Sequence, residues 1–165
     1  MNVFYNDFKS IYSQLYTLPR ARIQLRRNFG KHPKDVDMKT KVSFYEVVGG
    51  CTCIKKLDDL NLFIVTLMAV QIDKLQSGLG DLEITENMKE YNIQNYLHKI
   101  YVNSKTSESQ KRRITKLLAM QYEQDGRLLG QMTKFIQLAH KDGYKINPIQ
   151  LYADIKYWNA NHNEI

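Results

Sequence analysis

The run LNLFIVTLMAV, residues 60 to 70, most constrains what this chain can become. Only Asn61 and Thr66 interrupt its apolar character. A helix spanning a bilayer core needs about 20 apolar residues, so the run is too short for that role. In water, a helix that is apolar nearly all round has to be enclosed by other elements. The segment from Asp58 to about Leu75, followed by SGLG, is therefore predicted to be a central core helix.

The remaining segments carry the same helical period. Phe8, Ile11, Tyr12 and Leu15 follow the spacing of a first helix. Pro19 opens a second, predicted to run to Phe29 and stop at Gly30. A third covers Met38 to Val48, ended by Gly49 and Gly50. Tyr91, Ile93, Tyr96, Leu97, Ile100 and Tyr101 predict one more helix within residues 81 to 104. Ser107 and Gln110 have the spacing of a capping box. Asp125 precedes a helix that ends at Gly143. Asn147 and Pro148 are the cap and first position of a last helix, reaching about Asn159. No stretch alternates apolar and polar residues, and no NG or DG hairpin joins two strands. The expected fold class is all-α, a compact bundle of about seven to nine helices. It is expected to be a single domain, residues 1 to 165, divisible into lobes 1 to 104 and 105 to 165. A chain of this length hides roughly 70% of its unfolded surface, enough for a substantial core.

Charge is unevenly placed. The net charge is +7; residues 1 to 56 carry +7, residues 57 to 110 carry −4 and residues 111 to 165 carry +4. Such a field favours an anionic partner, nucleic acid above all, though an acidic middle also suits stacking of one copy on another. No early stretch combines a basic head, an apolar core and a small-residue cleavage site, so a soluble cytoplasmic protein is expected.

Enzyme signatures are missing. No Walker loop, GxGxxG, HExxH or GxSxG occurs, and His32, His98, His140 and His162 lack metal-ligand spacing. Cys51 and Cys53 in GGCTC are too close for an unstrained disulfide and lack a second pair for zinc. No catalytic residue, metal or cofactor is expected.

Three basic faces stand out. In PRARIQLRRNFGK, Leu18, Ala21, Leu25 and Phe29 form an apolar stripe, with Arg20, Arg27 and Lys31 opposite. Arg22 and Arg26 flank it, Arg22 nearer the stripe, and no acid occurs between Pro19 and Lys34. In SESQKRRITKLL, Ile114, Leu117 and Leu118 oppose Arg112 and Lys116, with Arg113 at the edge. Glu108 is expected to hold Arg112, leaving Arg113 and Lys116 without an acid four residues before them. In DGRLLGQMTKFIQLAHKDG, Arg127, Lys134 and Lys141 line one side over about 21 Å, a row that suits a phosphate backbone. Each face also fits a merely solvated helix surface. The tyrosines give little support for base stacking: Leu151, Tyr152, Ile155 and Trp158 follow core spacing.

The order of these pieces resembles a known family. RARIQLRR comes early, SQKRRITKLLA in the third quarter, and DGRLLGQMTKFIQLAHKDGYKINPIQLYADIKYW closes the chain. This resembles the small subunit, the CasB family, of the type I-E CRISPR Cascade complex. Arg22, Leu25, Arg26 and Arg27 match at the front, and Gly143, Ile146, Leu151, Asp154, Ile155 and Trp158 at the end. The likeness is loose over residues 1 to 48 and close over 105 to 158. Pro148 stands where the family has Trp, and CTC and residues 81 to 104 match nothing in it. The resemblance implies a non-catalytic helical subunit, present in two copies beside other Cascade subunits. Such a subunit helps hold the crRNA–target DNA hybrid and the displaced non-target strand. By motif position it implies Arg26, Arg27, Arg112, Arg113 and Lys116 as nucleic-acid contacts. Arg20, Arg22, Lys31, Arg127, Lys134 and Lys141 join them from helix geometry alone. The other expectation is a basic helical scaffold that binds acidic protein partners or stacks on itself.

Overall fold

The structure, a computed structural model, describes residues 3–72 and 92–163. The predicted stretch from Asp73 to Leu75, SGLG, and the part of the predicted helix before residue 92 lie outside them. Among the described residues every regular element is helical and no strand occurs. None of these helices is long and apolar enough to cross a membrane. The chain divides into two units, residues 1–87 and 88–165.

The first unit contains α1 (Val3–Thr17), α2 (Pro19–Arg26), a 3-10 turn (Pro33–Asp35), α3 (Met38–Val48) and α4 (Asp59–Gln71). As the apolar run requires, α4 is buried at every residue from Asp59 to Ala69. Its polar residues are satisfied locally. The Thr66 hydroxyl donates to the Leu62 carbonyl at 2.7 Å, and the Asn61 amide donates to the Lys56 carbonyl at 2.8 Å. Asp58 caps the helix by accepting from the Asn61 N–H at 2.8 Å. Burial nonetheless pushes the Asp58 carboxyl above its ordinary value. Phe8, Ile11 and Leu15 of α1, Leu25 of α2 and Phe44 of α3 are fully buried. Burying one such side chain is worth about 1.5–3 kcal/mol.

Helix α2 ends three residues earlier than the sequence predicts. The Asn28 side chain donates to the Gln24 carbonyl at 2.7 Å, the acceptor a continuing helix would give to the Asn28 backbone. The backbone N–H of Asn28 turns instead to Leu25, three residues back, at 3.1 Å. Gly30 then takes φ 88°, a conformation that suits glycine.

The first unit also holds a buried carboxylate. Asp7 of α1 is 2% exposed and accepts from the backbone N–H groups of Thr52, Cys53 and Ile54 at 2.8, 2.7 and 2.9 Å. The GGCTC segment is thus tied to α1. The Cys51 thiol faces the Asp7 carbonyl at 3.6 Å, and burial first, then Asp7, pushes its pKa up to about 11. Both cysteines are free thiols.

The second unit contains α5 (Ile93–Val102), α6 (Glu108–Ala119), α7 (Arg127–Lys141), α8 (Pro148–Lys156) and α9 (Trp158–Asn163). Helix α5 packs on α6 and α7. It therefore belongs with the later helices, whereas a division at 104 and 105 would assign it to the first lobe. Ser107 caps α6 by accepting from the Gln110 N–H at 3.1 Å. Asn147 caps α8 by accepting from Ile149 and Gln150. The apolar stripe of α7, from Leu128 to Ala139, is buried as its spacing requires. The last helix does not run unbroken to Asn159: it breaks at Tyr157, with φ −105° and ψ 16°. Past the break, the Trp158 indole N–H donates to the Met120 carbonyl at 2.7 Å. Asn159 accepts from the Tyr122 N–H at 2.6 Å and donates to the Tyr122 carbonyl at 2.8 Å. These bonds fix the segment between α6 and α7.

Candidate nucleic-acid interface

The predicted basic face of α2 survives only in part. Arg20, Arg27 and Lys31 are exposed and Arg26 is half-buried. Arg22 is not available to a ligand: it is 8% exposed, and its guanidinium donates to the carbonyls of Leu15 and Tyr16 at 3.2 and 3.4 Å. It satisfies carbonyls that the last turn of α1 leaves without intrahelical partners. Its position nearer the apolar stripe explains the difference from the predicted contact. The face also has an acid near it in space. Asp37 caps α3, accepting from the Thr40 hydroxyl at 2.7 Å and from its N–H at 2.9 Å. These bonds, with Lys39 and Lys31 nearby, hold its carboxyl below the ordinary value.

In the second unit α6 and α7 bring cations together. A groove of about 850 Å³ runs between them. Its rim carries Arg113 and Lys116 from α6 and Arg127 and Lys134 from α7. Its floor is Leu117, Met120, Phe135 and Leu138, and the amides of Gln110 and Gln131 complete the lining. No acid lines it. Among the described residues no carboxylate lies within ion-pair distance of Arg113, Lys116 or Lys134.

The cation at the mouth of this groove behaves differently. Arg127 pairs with Glu123 at 2.8 Å and with Asp125 at 2.6 Å. Asp125 also accepts from the Arg127 backbone N–H at 3.0 Å, and that bond, then the guanidinium, holds its carboxyl below the ordinary value. Gly126, at φ 84°, turns the chain into α7 between the acid and the arginine it binds. The expectation that Arg127 begins an open row of cations is corrected accordingly. Lys134 and Lys141 are exposed on the same helix, but Lys141 does not line the groove.

The first turn of α6 needs a second correction. Glu108 pairs with Lys111, at 3.9 Å, rather than with Arg112. Spacings of three and four both allow a pair. The half-buried Lys111 takes it, and Arg112 stays exposed outside the groove.

No family model, no curated protein and no solved structure matches this chain. The chemistry of the interface therefore has to be read from its own side chains. Among the described residues no cluster of three or more His, Cys, Asp or Glu side chains is placed to hold a metal ion. A second cavity, about 670 Å³, lies beside α5 and the start of α6. Its polar groups serve one another. The Tyr96 hydroxyl donates to Asp142 at 2.7 Å, and burial and that carboxylate push its pKa up. Lys99 bonds to the Tyr144 hydroxyl and lies 4.6 Å from the centre of its ring. Tyr144 thus sits beside a cation, a placement the sequence did not indicate. His140 is driven toward its neutral form by burial, then by Lys145.

Sequence reasoning singled out the four rim cations of the groove but not its floor. Leu117 and Phe135 carry the period of buried stripes, which is all their spacing can reveal. That two stripes meet with their cationic edges on one side depends on how α6 and α7 pack.

Proposed function

We propose that this chain is a non-catalytic, nucleic-acid-binding subunit of a CRISPR RNA-guided surveillance complex. Basic helix faces would touch phosphates of the guide RNA–target DNA hybrid and of the displaced strand. The observation that carries the binding part is the α6–α7 groove, where Arg113, Lys116 and Lys134 converge without a carboxylate. Unpaired cations at one rim repel each other, and a polyanion relieves that repulsion while releasing its counterions. The exposed Arg20 of α2, with the exposed Arg27 and Lys31 just beyond its end, offers further phosphate contacts in the first unit.

The assignment to a CRISPR complex is supported by the order of the RARIQLRR, SQKRRITKLLA and final-helix motifs. It is consistent with the chemistry of the rim. Guide–target pairing reads the sequence, so a protein lining the complex needs only shape and charge. Strand exchange is nearly balanced in energy, and a few phosphate contacts are enough to tip it.

The deciding experiment is to tag the chain, purify it from its native source at low salt and identify what accompanies it. A guide-sized RNA with several unrelated subunits in fixed ratio, and a second copy of this chain, is the expected result. Recovery with acidic proteins alone would overturn the reading in favour of a scaffold.

A further inference from the structure

We propose that the α6–α7 groove takes an unpaired nucleotide, with its phosphate on the rim cations and its base against the apolar floor. This rests on the nucleic-acid reading above and adds to it a preference for single strands. A pure phosphate track needs no apolar floor. Here the rim cations Arg113, Lys116 and Lys134 stand over Leu117, Met120, Phe135 and Leu138 in one groove. Leu117 and Phe135 are 1% and 4% exposed and form the base of the floor. Met120 and Leu138 are only half-buried, so apolar surface remains open to a ligand.

The size also fits. A groove of about 850 Å³ lies in the range that encloses a drug-sized ligand, and a nucleotide is of that class. A duplex keeps its bases stacked inside and presents phosphates, so it meets the rim and leaves the floor wet. A single strand has rotatable bases with free apolar faces. It can place a phosphate on the rim and turn the neighbouring base inward, where the Gln110 and Gln131 amides can donate to or accept from its edge. An acidic peptide matches the rim but has no flat apolar group at each charge.

The test compares ligands of equal charge on the full chain. Fluorescence anisotropy measures binding of an eight-residue oligothymidylate, the same backbone without bases, and a blunt hairpin duplex with the same number of phosphates, which should bind no tighter than the abasic backbone. The expected result is oligothymidylate binding about tenfold tighter than the abasic backbone, as burial of roughly 60 Å² of apolar surface supplies. In the Met120→Ser, Leu138→Ser double variant that gap should close, while salt dependence stays the same. Oligouridylate showing the same gap would support the inference and extend it to RNA. If oligothymidylate and abasic backbone bind alike, with affinity falling as salt rises, the base contact is overturned and the nucleic-acid reading stands. If neither binds, both fall. Polyglutamate binding as tightly as oligothymidylate would overturn the inference in favour of an acidic peptide. The wild-type comparison needs no variant, so a folding defect in the double variant leaves the test intact.

Discussion

Two basic helices in this molecule look alike in sequence and are used differently. Helix α2 has five cations within residues 20 to 31 or just beyond its end, and α6 has four within 111 to 116. In the first unit the fold takes one of them inward: Arg22 is buried on the carbonyls of α1. In the second unit Arg113 and Lys116 stay exposed at the rim of a groove. The difference lies in what the neighbouring element lacks. The end of α1 has carbonyls without partners that a long cation can reach, whereas α7 faces α6 with a third free cation, Lys134. Charge density along a helix therefore does not identify a binding surface; the acceptors that the fold places near it do.

The sharpest way to break the comparison is to damage the first unit at its polar anchor. Asp7→Ala leaves the N–H groups of Thr52, Cys53 and Ile54 without their acceptor. It should lower stability by about 3–4 kcal/mol, read from urea unfolding. A loss below about 1 kcal/mol would mean that water replaces the carboxylate and that the segment needs no anchor. Cysteine labelling reads the same anchor. At pH 8, Cys51, with its pKa pushed up to about 11, should react roughly a hundredfold more slowly than a fully exposed thiol. In Asp7→Ala that protection should weaken but not vanish, because the carboxylate's share of the shift is lost while burial of the thiol, the larger cause, remains. The sign for stability follows from the raised pKa. The neutral thiol's contribution is complete below the ordinary thiol value and is lost as pH rises through about 11.

The next pair of changes crosses the two helices. Arg22→Ala should cost about 2 kcal/mol of stability and leave oligonucleotide affinity unchanged, since its work is in the fold. Arg113→Glu should do the reverse, weakening binding about tenfold with an unchanged unfolding midpoint, as reversal of one phosphate contact at a shared rim implies. If Arg22→Ala weakens binding in protein that is fully folded, the assignment of that arginine to structure is wrong.

The helical period exposed most of the fold to sequence reasoning, because burial of one stripe per helix is a repeating demand. Phe8, Ile11, Tyr12 and Leu15 are buried as their spacing requires, and so is the apolar run of α4. What the sequence hid was local competition for backbone groups. Asn28 ends α2 early by taking a carbonyl that the helix would have used, and no periodicity reports that. Asp7 looks like an ordinary polar residue beside an apolar stripe. Its partners lie 45 to 47 residues away, in a loop whose N–H groups point together only after folding. At the candidate site the cations were legible as residues. Their pairing was not, because Glu123 and Asp125 reach Arg127 from a turn whose path depends on Gly126, Trp158 and Asn159.

That turn gives the smallest expected effect and the finest test of the groove. The Arg127 guanidinium is satisfied by two carboxylates before any ligand arrives, so phosphate has to compete for it. Both acids are exposed, and exposed pairs are weak and salt-sensitive. The Glu123→Gln, Asp125→Asn double variant should therefore tighten oligonucleotide binding by only about twofold to threefold at low salt, with no change at high salt. The Asp125 carboxyl is held below its ordinary value, so the pair contributes fully above that value and is lost only as pH falls through the depressed one. Mild acidification, down to the usual carboxylate range, should then leave the Asp125–Arg127 pair in place. Arg127→Ala should act in the opposite direction, because it leaves two unpaired carboxylates at the mouth of the groove. If both variants bind as wild type does, the ligand never reaches Arg127, and the groove works with Arg113, Lys116 and Lys134 alone.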